Sequence, residues 1–452
     1  MSWPKAGVMP YLVFLIACVV YVAFPSNHFN ADALHYNLLA FMSLYDPSVV
    51  LRDGVVAAHL LWHLLASIFL FITQPATPLE SLYLLRLMNI VLALGSIFLF
   101  MGLVRASAGA WAAAWATVIL AFSQACLRHF LAVEVYSLNN LVLILILMAV
   151  HRATLAELRP GAGRAAAFAV LSAVAIGTHL ANVLLVIPML LFLLWRGREK
   201  RRVAAGVYLL CLFVLAVSGV VALALLSGRD LAGTLSYLMS YAGVKTNYLS
   251  SDILRNMTVS CWSVPASIMD RFTLWLYIPA AFFVWIAARH WSIVWKDHWA
   301  RFLLIQLALM GALVTQWDPE NMEHKIACIP VALLLVTRVQ ALVAPRPRGS
   351  LLAASGLIAA TVLACGLIFG VRPYTRLEGY EPYRQSSQIR RQSTGDSVVL
   401  ILSPGQTAES VTLASMTFFK QHVVVLDETQ PGTAAQVESL RDRGFEVLRA
   451  AE

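Results

Sequence analysis

The sequence predicts an all-α polytopic membrane protein with a small α/β domain at its carboxyl end. Three observations predict it. Of 452 residues, 60% are hydrophobic and 13% charged, with a mean hydropathy of +0.75, whereas a soluble domain carries about 45–50% apolar and roughly 25% charged residues. Apolar runs of near-bilayer length recur through the first 371 residues; in hydrocarbon a helix satisfies its own backbone hydrogen bonds. After Gly370 those runs stop and short strand-like and helix-like segments alternate.

Eleven spans are expected, at 8–25, 83–103, 110–127, 137–152, 165–181, 182–196, 204–227, 272–288, 301–316, 326–343 and 351–371. The first run has only Lys5 ahead of it. Although AFPS resembles a cleavage region, the run is long and continues into a polar loop, so a retained span is expected rather than a signal peptide. Lys/Arg clusters at Arg152 to Arg164, Arg196 to Arg202, Arg289 to Arg301 and Arg338 to Arg348 fix the orientation. With these and Arg105 on the cytoplasmic side, the amino terminus lies inside and the carboxyl terminus outside. Both ends of the first outer loop, 26–82, are then extracytoplasmic, so the apolar run at 55–73, with His59, Trp62 and His63, should dip in or lie within the bundle without crossing. A count of twelve spans would place Arg105 or the later basic clusters on the wrong face.

The formal charge of +9 is explained by this cytoplasmic excess and calls for no nucleic acid. A bacterial inner membrane, or an endoplasmic one, is the expected location. Of six cysteines, Cys18, Cys126, Cys211, Cys328 and Cys365 lie in apolar segments and Cys261 in a loop. Their spacing matches no metal or thioredoxin motif, so they read as packing residues, and no haem or nucleotide is expected.

The run 165–196 is interrupted at Gly177, Thr178, His179 and Asn182. Two short helices meeting at a polar break fit it best, with a bent packing helix as the alternative; such breaks are tolerated where they are buried in protein or line a cavity. Residues 372–395 read as a linker and 396–452 as a small extracytoplasmic α/β domain. Strands are expected at Ser397 to Leu402, His422 to Leu426 and Phe445 to Leu448, and helices at Thr407 to Lys420 and Thr433 to Gly444. The first turn, SPGQT, lacks the glycine spacing of a dinucleotide fingerprint.

In this topology the unusual polar groups gather on the outer side. Ser26 to Asp53 mixes Asn27, His28, Asn30, Asp32, His35, Asn37 and Asp46 with apolar patches, as in short helices at a membrane surface. Asp32 is its leading candidate, with a helix cap as the plain reading. Arg128 to Tyr136 joins the third and fourth spans, and Asn139 and Asn140 follow it; Glu134, Tyr136 and Asn140 can share a helical face. The loop 228–271 carries Lys245 and Arg255, and Trp317 to Lys325 carries Asp318, Glu320, Glu323 and His324. Each segment alone has a structural reading, such as an Arg128–Glu134 ion pair or acids at a helix start. Together they point to a wet outer cavity, since ionisable groups near hydrocarbon are costly. In such a cavity a carboxylate can orient or deprotonate an acceptor. Lys or Arg can neutralise a departing phosphate, and paired carboxylates can hold a divalent cation.

The chain also resembles the GT-C class of integral-membrane glycosyltransferases, the users of lipid-phosphate sugars that include protein O-mannosyltransferases and aminoarabinose transferases. The resemblance covers roughly residues 8–345 and rests on the acid of FNADALHY (Asp32), on Leu85 to Asn89, on RHFLAVEVYSLNN with Glu134 as the second acid, and on WDPENMEHKIACIPVALLL. Departures are equally visible. No second acid stands beside Asp32, and HLLWHLL, with His59 and His63, occupies the approximate place of a His-Pro-Pro or Lys-Pro-Pro segment. The resemblance implies a GT-C-like helical bundle that moves a sugar from a polyprenyl- or dolichyl-phosphate carrier to an extracytoplasmic glycan, lipid or protein. It implies Asp32 and Glu134 as catalytic residues and possible ligands of Mg or Mn. Lys325, Arg128, Lys245 and Arg255 are the candidates for donor phosphate; His35, His59, His63, Tyr136, Asn140, His179, Glu320, Glu323 and His324 are the candidates for acceptor or cavity. A transporter or lipid flippase using the broken 165–196 run, or a non-catalytic assembly subunit, is the competing expectation.

Overall fold

A computed structural model describes residues 7–27, 29, 31–52, 59–155, 161–196, 201–236, 238, 252–269, 274–317, 325–343, 349–371, 375, 380–392, 396–402, 408–419, 421–427, 433–442 and 444–449. The chain is a polytopic helical membrane bundle with a small C-terminal α/β unit. Its first helix, α1 (Met9–Ala23), takes Pro10 in its first turn, where a missing N–H costs little. One face buries Val13, Ala17, Val20 and Tyr21, while Leu12, Leu15, Ile16 and Val19 stand exposed on the other. That apolar outer face suits lipid.

The 26–82 region contains α2 (Ala31–Met42), α3 (Ser48–Arg52) and α4 (Leu60–Thr73). Helix α5 (Pro78–Ala108) opens with Thr77 accepting the Glu80 N–H at 3.1 Å, while the Glu80 carboxylate accepts the Ala76 N–H at 2.8 Å, and it stops at Gly109, φ 93°. This Thr-x-x-Glu reciprocity satisfies donors the helix itself cannot. With about 1.5 Å of rise per residue, 31 residues exceed a hydrocarbon core of roughly 30 Å. Arg105 at one end therefore places Arg86 and Asn89 near the opposite boundary.

Helices α6 (Ala110–Phe122) and α7 (Gln124–Phe130) are bent by 60° at Ser123. The turn Gly366–Val371 packs against this bend so closely that a Cβ on Gly366 would collide with the Phe122 carbonyl oxygen. Helix α8 (Tyr136–Leu155) is followed by α9 (Ala162–Thr178), a 3-10 turn (Leu180–Leu185) and α10 (Val186–Arg196), so the 165–196 run does break at His179. Helix α11 (Arg201–Ser227) and the helices Ile253–Ile268, Leu274–Arg289, Trp291–Lys296, His298–Trp317, Cys328–Val343 and Gly349–Cys365 complete the bundle. A helix occupies each of the eleven expected intervals. Among the described residues, five helices are long and apolar enough to cross a membrane on their own, or six if the bent α6–α7 pair counts as one span. Several others among the described residues are only 10–17 residues long, two of them the halves of the run broken at His179.

Arg338 joins three elements at one end of the bundle. It donates to Asp297 Oδ2 at 2.6 Å and to the Ser107 carbonyl at 3.2 Å, and Asp297 accepts the Ala300 N–H at 2.7 Å. Burial pushes the Asp297 carboxyl up, but hydrogen bonds from Arg338 and Ala300 and the charges of Arg338 and His298 outweigh it and hold the group below its ordinary value. A depressed carboxylate pKa stabilises fully above the unfolded value and loses that contribution as pH falls through the folded one. Arg338→Gln should therefore cost about 2 kcal/mol at neutral pH. Thermal unfolding in detergent should show the two proteins converging only as pH falls from about 4, the ordinary carboxylate value, through the lower folded value at which Asp297 becomes neutral.

The C-terminal unit is a three-stranded parallel sheet in the order β2-β1-β3, with β1 (Ser397–Leu402), β2 (His422–Asp427) and β3 (Glu446–Arg449), connected by the helices Ala408–Phe419 and Thr433–Asp442. A further helix, Glu381–Gln392, lies inside the stretch expected as linker and packs on Ala408–Phe419. Tyr383 stacks on Phe419 at 5.6 Å and meets Phe418 edge-on at 5.1 Å. That aromatic seam is why 381–392 is helical despite its polar composition.

Candidate functional site

Asp32 lies in the first turn of α2, exposed, where the helix dipole favours a carboxylate. His35, one turn on, is half-buried, and the face carrying Ala33, Leu34, Tyr36, Asn37 and Ala40 is buried. Asn37 fixes that face to the start of α5: its amide donates to the Pro78 carbonyl at 3.0 Å and its oxygen accepts the Ser81 hydroxyl. Tyr36 packs on α4, with ring centroids 4.9 Å from His63, 5.7 Å from Trp62 and 6.5 Å from His59.

Beneath α2, polar side chains replace the ordinary apolar core. Trp62 and His63 are fully buried and His59 nearly so. The Trp62 indole donates to Asn89 Oδ1 at 3.1 Å, and Asn89 Nδ2 donates to the carbonyls of Ala132 and Glu134 at 3.0 and 2.8 Å. One α5 amide thus holds the turn between α7 and α8 in place. The Glu134 side chain is buried, with Oε1 3.7 Å from His129 Nδ1. That separation is too long for a hydrogen bond and becomes an ion pair when the imidazole is protonated.

The break in the 165–196 run completes the cluster. A Cβ on Gly177 would lie 2.8 Å from Leu61 Cδ1, so the end of α9 sits directly against α4. His59 Nδ1 is 3.4 Å from the Thr178 carbonyl, and the His59 and His179 rings are 4.7 Å apart. His179 Nδ1 accepts the Ala181 N–H at 3.2 Å, which puts the proton of the neutral ring on Nε2. Asn182 donates to Asn139 Oδ1 at 2.6 Å and to the Ala175 carbonyl at 2.8 Å, satisfying groups the broken helix frees. Tyr136 lies 5.9 Å from His179 and 5.5 Å from His129. A continuous series of side chains, Tyr36, His59, His179, Tyr136 and His129, therefore runs from the helix of Asp32 to Glu134.

The remaining candidates are placed unevenly. Asn140 is fully buried, and its amide has no hydrogen-bond partner among the described residues. Lys325 is buried just ahead of the helix Cys328–Val343. Arg128 on α7 and Arg255 on Ile253–Ile268 are exposed, and those two helices pack together. Lys245, Glu320, Glu323 and His324 lie outside the described residues. Tyr36, Trp62, Asn89, His129 and Asn139 were not among the predicted site residues. A buried-polar signal was available for Asn89 and Asn139, each set in a long apolar run; Tyr36 had none.

The C-terminal unit docks on the same segment. Phe29, 2% exposed, lies 6.4 Å from both Tyr380 and Phe418, and Asn27 donates to the Thr375 carbonyl at 2.7 Å. Arg86 closes this joint, donating to the Ser26 carbonyl at 2.8 Å and Asn27 Oδ1 at 2.7 Å, with its guanidinium 4.8 Å from the Tyr83 ring. Among the described residues, no three His, Cys, Asp or Glu side chains form a metal-holding group. Asp32 and Glu134 nonetheless supply carboxylate oxygens of the kind Mg or Mn accepts.

Residues 81–203 match the family described as the protein O-mannosyl-transferase TMEM260 N-terminal domain. No curated protein sequence matches significantly. ArnT from Cupriavidus metallidurans, solved bound to undecaprenyl phosphate, is similar in structure with a TM-score of 0.60 at 12% identity, over 97% of this chain and 89% of that one. The oligosaccharyltransferase of Archaeoglobus fulgidus in its apo form gives 0.58 at 11% identity, over 96% of this chain and 66% of that one. The complex of that archaeal enzyme, AglB, with an inhibitory peptide and a dolichol-phosphate gives 0.54 at 11% identity, over 90% of this chain and 63% of that one. The chain spans about two thirds of the archaeal enzyme's length. The chain thus shares the fold of these membrane proteins.

Proposed function

We propose that the chain transfers a sugar from a polyprenyl- or dolichyl-phosphate carrier to an extracytoplasmic glycan, lipid or protein acceptor. The observation that carries this reading is the contiguity of its two acid-bearing segments: exposed Asp32 stands one turn above Tyr36, and buried Glu134 closes the same polar series. The fold shared with lipid-phosphate-dependent transferases supports it.

In this reading Asp32 orients the acceptor and takes its proton as the acceptor oxygen or nitrogen attacks the anomeric carbon. The bond from that carbon to the phosphate oxygen breaks, and the carrier phosphate leaves with the electron pair. Arg128 and Arg255, exposed on two packed helices, offset the charge that develops on the phosphate in this reading; Lys325 and Lys245 remain candidates for the same task. Glu134 acts behind them, through His129 or as part of a cation site with Asp32. When bound there, Mg or Mn would supply charge neutralisation at the donor phosphate. The site opens to the outer side and the Arg105, Arg338 end faces the cytoplasm of a bacterial inner membrane.

Purified protein incubated with a panel of polyprenyl-phosphate sugars should release carrier phosphate and form a covalent glycoside with an acceptor. Uptake of the sugar lipid into vesicles without covalent product would move the reading to transport. Stoichiometric copurification with an active enzyme, without donor binding, would move it to an accessory subunit. Chelation with EDTA should lower turnover at least tenfold and added Mg or Mn restore it; full activity in chelator removes the cation from the proposal and leaves Glu134 with the phosphate network alone.

A further inference from the structure

At the end of the bundle away from the acid-bearing loops lies a cavity of about 160 Å³, lined by His151, Thr154, Lys296, Asp297, His298 and Arg338 among others. Its only carboxylate among those lining residues is already taken. Asp297 is held by Arg338 at 2.6 Å and by the Ala300 N–H at 2.7 Å, while Arg338 also reaches the Ser107 carbonyl. With both imidazoles neutral, Lys296 and Arg338 against Asp297 leave the lining one positive charge in excess. The cavity wall is therefore built for an anion.

Its surroundings indicate which anion. Lys296 ends the short helix Trp291–Lys296, whose Trp291 and Trp295 are 48% and 40% exposed and stack on each other at 5.2 Å. Ile293 between them is 45% exposed. Arg301 lies 4.7 Å from the Trp195 ring and 5.0 Å from that of Trp295. Exposed tryptophans beside cations mark the level where hydrocarbon meets headgroups. Basic cavities between membrane helices at that level suit phospholipid headgroups.

We propose that this cavity binds the phosphate of an anionic phospholipid headgroup from the leaflet at the basic end of the bundle. Lys296 and His298 contact the phosphate from one side and His151 from the other; Arg338 keeps Asp297 from repelling it. Trp291, Ile293 and Trp295 rest in the adjoining acyl region. The cavity lies away from the transfer site, so this assignment and the proposed activity stand or fall separately.

The test is native mass spectrometry of the full-length protein titrated with phosphatidylglycerol, with phosphatidylcholine, and with inorganic phosphate. Phosphatidylglycerol should bind in preference to phosphatidylcholine. Lys296→Gln should weaken it about fivefold, the effect of one lysine close to an anionic lipid surface, and Lys296→Arg should restore it. Lys296 is exposed, so these variants keep the fold. Arg202→Gln, an exposed cation that is not among the cavity-lining residues, should leave binding unchanged. Equal binding of the two lipids, an Arg202→Gln effect as large as that of Lys296→Gln, or binding of inorganic phosphate without lipid preference would overturn the proposal.

Discussion

Asp32→Asn should lower transfer from a lipid-phosphate sugar by about 10²–10⁴-fold, the usual contribution of a positioned general base, while leaving the thermal unfolding of the protein almost unchanged. The two readouts separate because of where Asp32 sits. It is exposed in the first turn of α2, and the contacts of that helix run through Tyr36, one turn further on, and through Asn37. Asparagine preserves its shape and is itself well tolerated at helix starts. What is lost is the capacity to accept a proton. Initial rates with folded, detergent-purified protein decide it, and undiminished turnover would leave Asp32 as a helix-end residue only.

Asn89→Ala should be the most damaging single change in the polar cluster, costing about 3 kcal/mol of stability and transfer activity with it. Asn89 is fully buried and makes three hydrogen bonds, so alanine strands the Trp62 N–H and the carbonyls of Ala132 and Glu134 together. Buried groups left unsatisfied cost roughly 1–3 kcal/mol each, but hydrogen bonds measured between membrane helices average nearer 0.6 kcal/mol. The expected value lies between those limits. Trp62→Phe removes only one of the three bonds and should cost about 1 kcal/mol. A thermal unfolding series on the two variants tests the ranking, and equal effects would mean that the turn carrying Glu134 is held by its packing instead.

Hydropathy made the helical intervals legible because apolar length is a one-dimensional property. The same holds for the C-terminal unit, where Val398 to Ile401 and Val423 to Leu426 form apolar runs that the sheet pairs in parallel. The polar interruption at Gly177 to Asn182 was visible for the same reason, and it is a real break. The helix Glu381–Gln392 was not visible. Its sequence is mostly polar and its inward stripe is short, Tyr383 and Ile389 with Tyr380 just ahead, so it reads as linker; in the structure Tyr383 meets Phe418 and Phe419 some 35 residues later.

The site divides along the same line. Asp32, Glu134, His59, His179 and Tyr136 could be singled out because charged or polar groups in an apolar chain are conspicuous. Their distances could not. Tyr36 becomes part of the series only when α2 lies across α4, and Asn89 becomes its hub only when α5 passes under the turn 131–135.

By itself, then, the sequence determined that this chain lives in a membrane, roughly where its helices run, and which carboxylates merit attention, since each follows from local composition and period. Only the tertiary structure decided that the two acid-bearing segments meet through five aromatic and imidazole rings, that the C-terminal unit clasps Phe29 beside them, and that a cationic cavity lies apart from them. The reason is physical: these are contacts between segments as much as 389 residues apart, set by packing and hydrogen-bond satisfaction across the whole bundle.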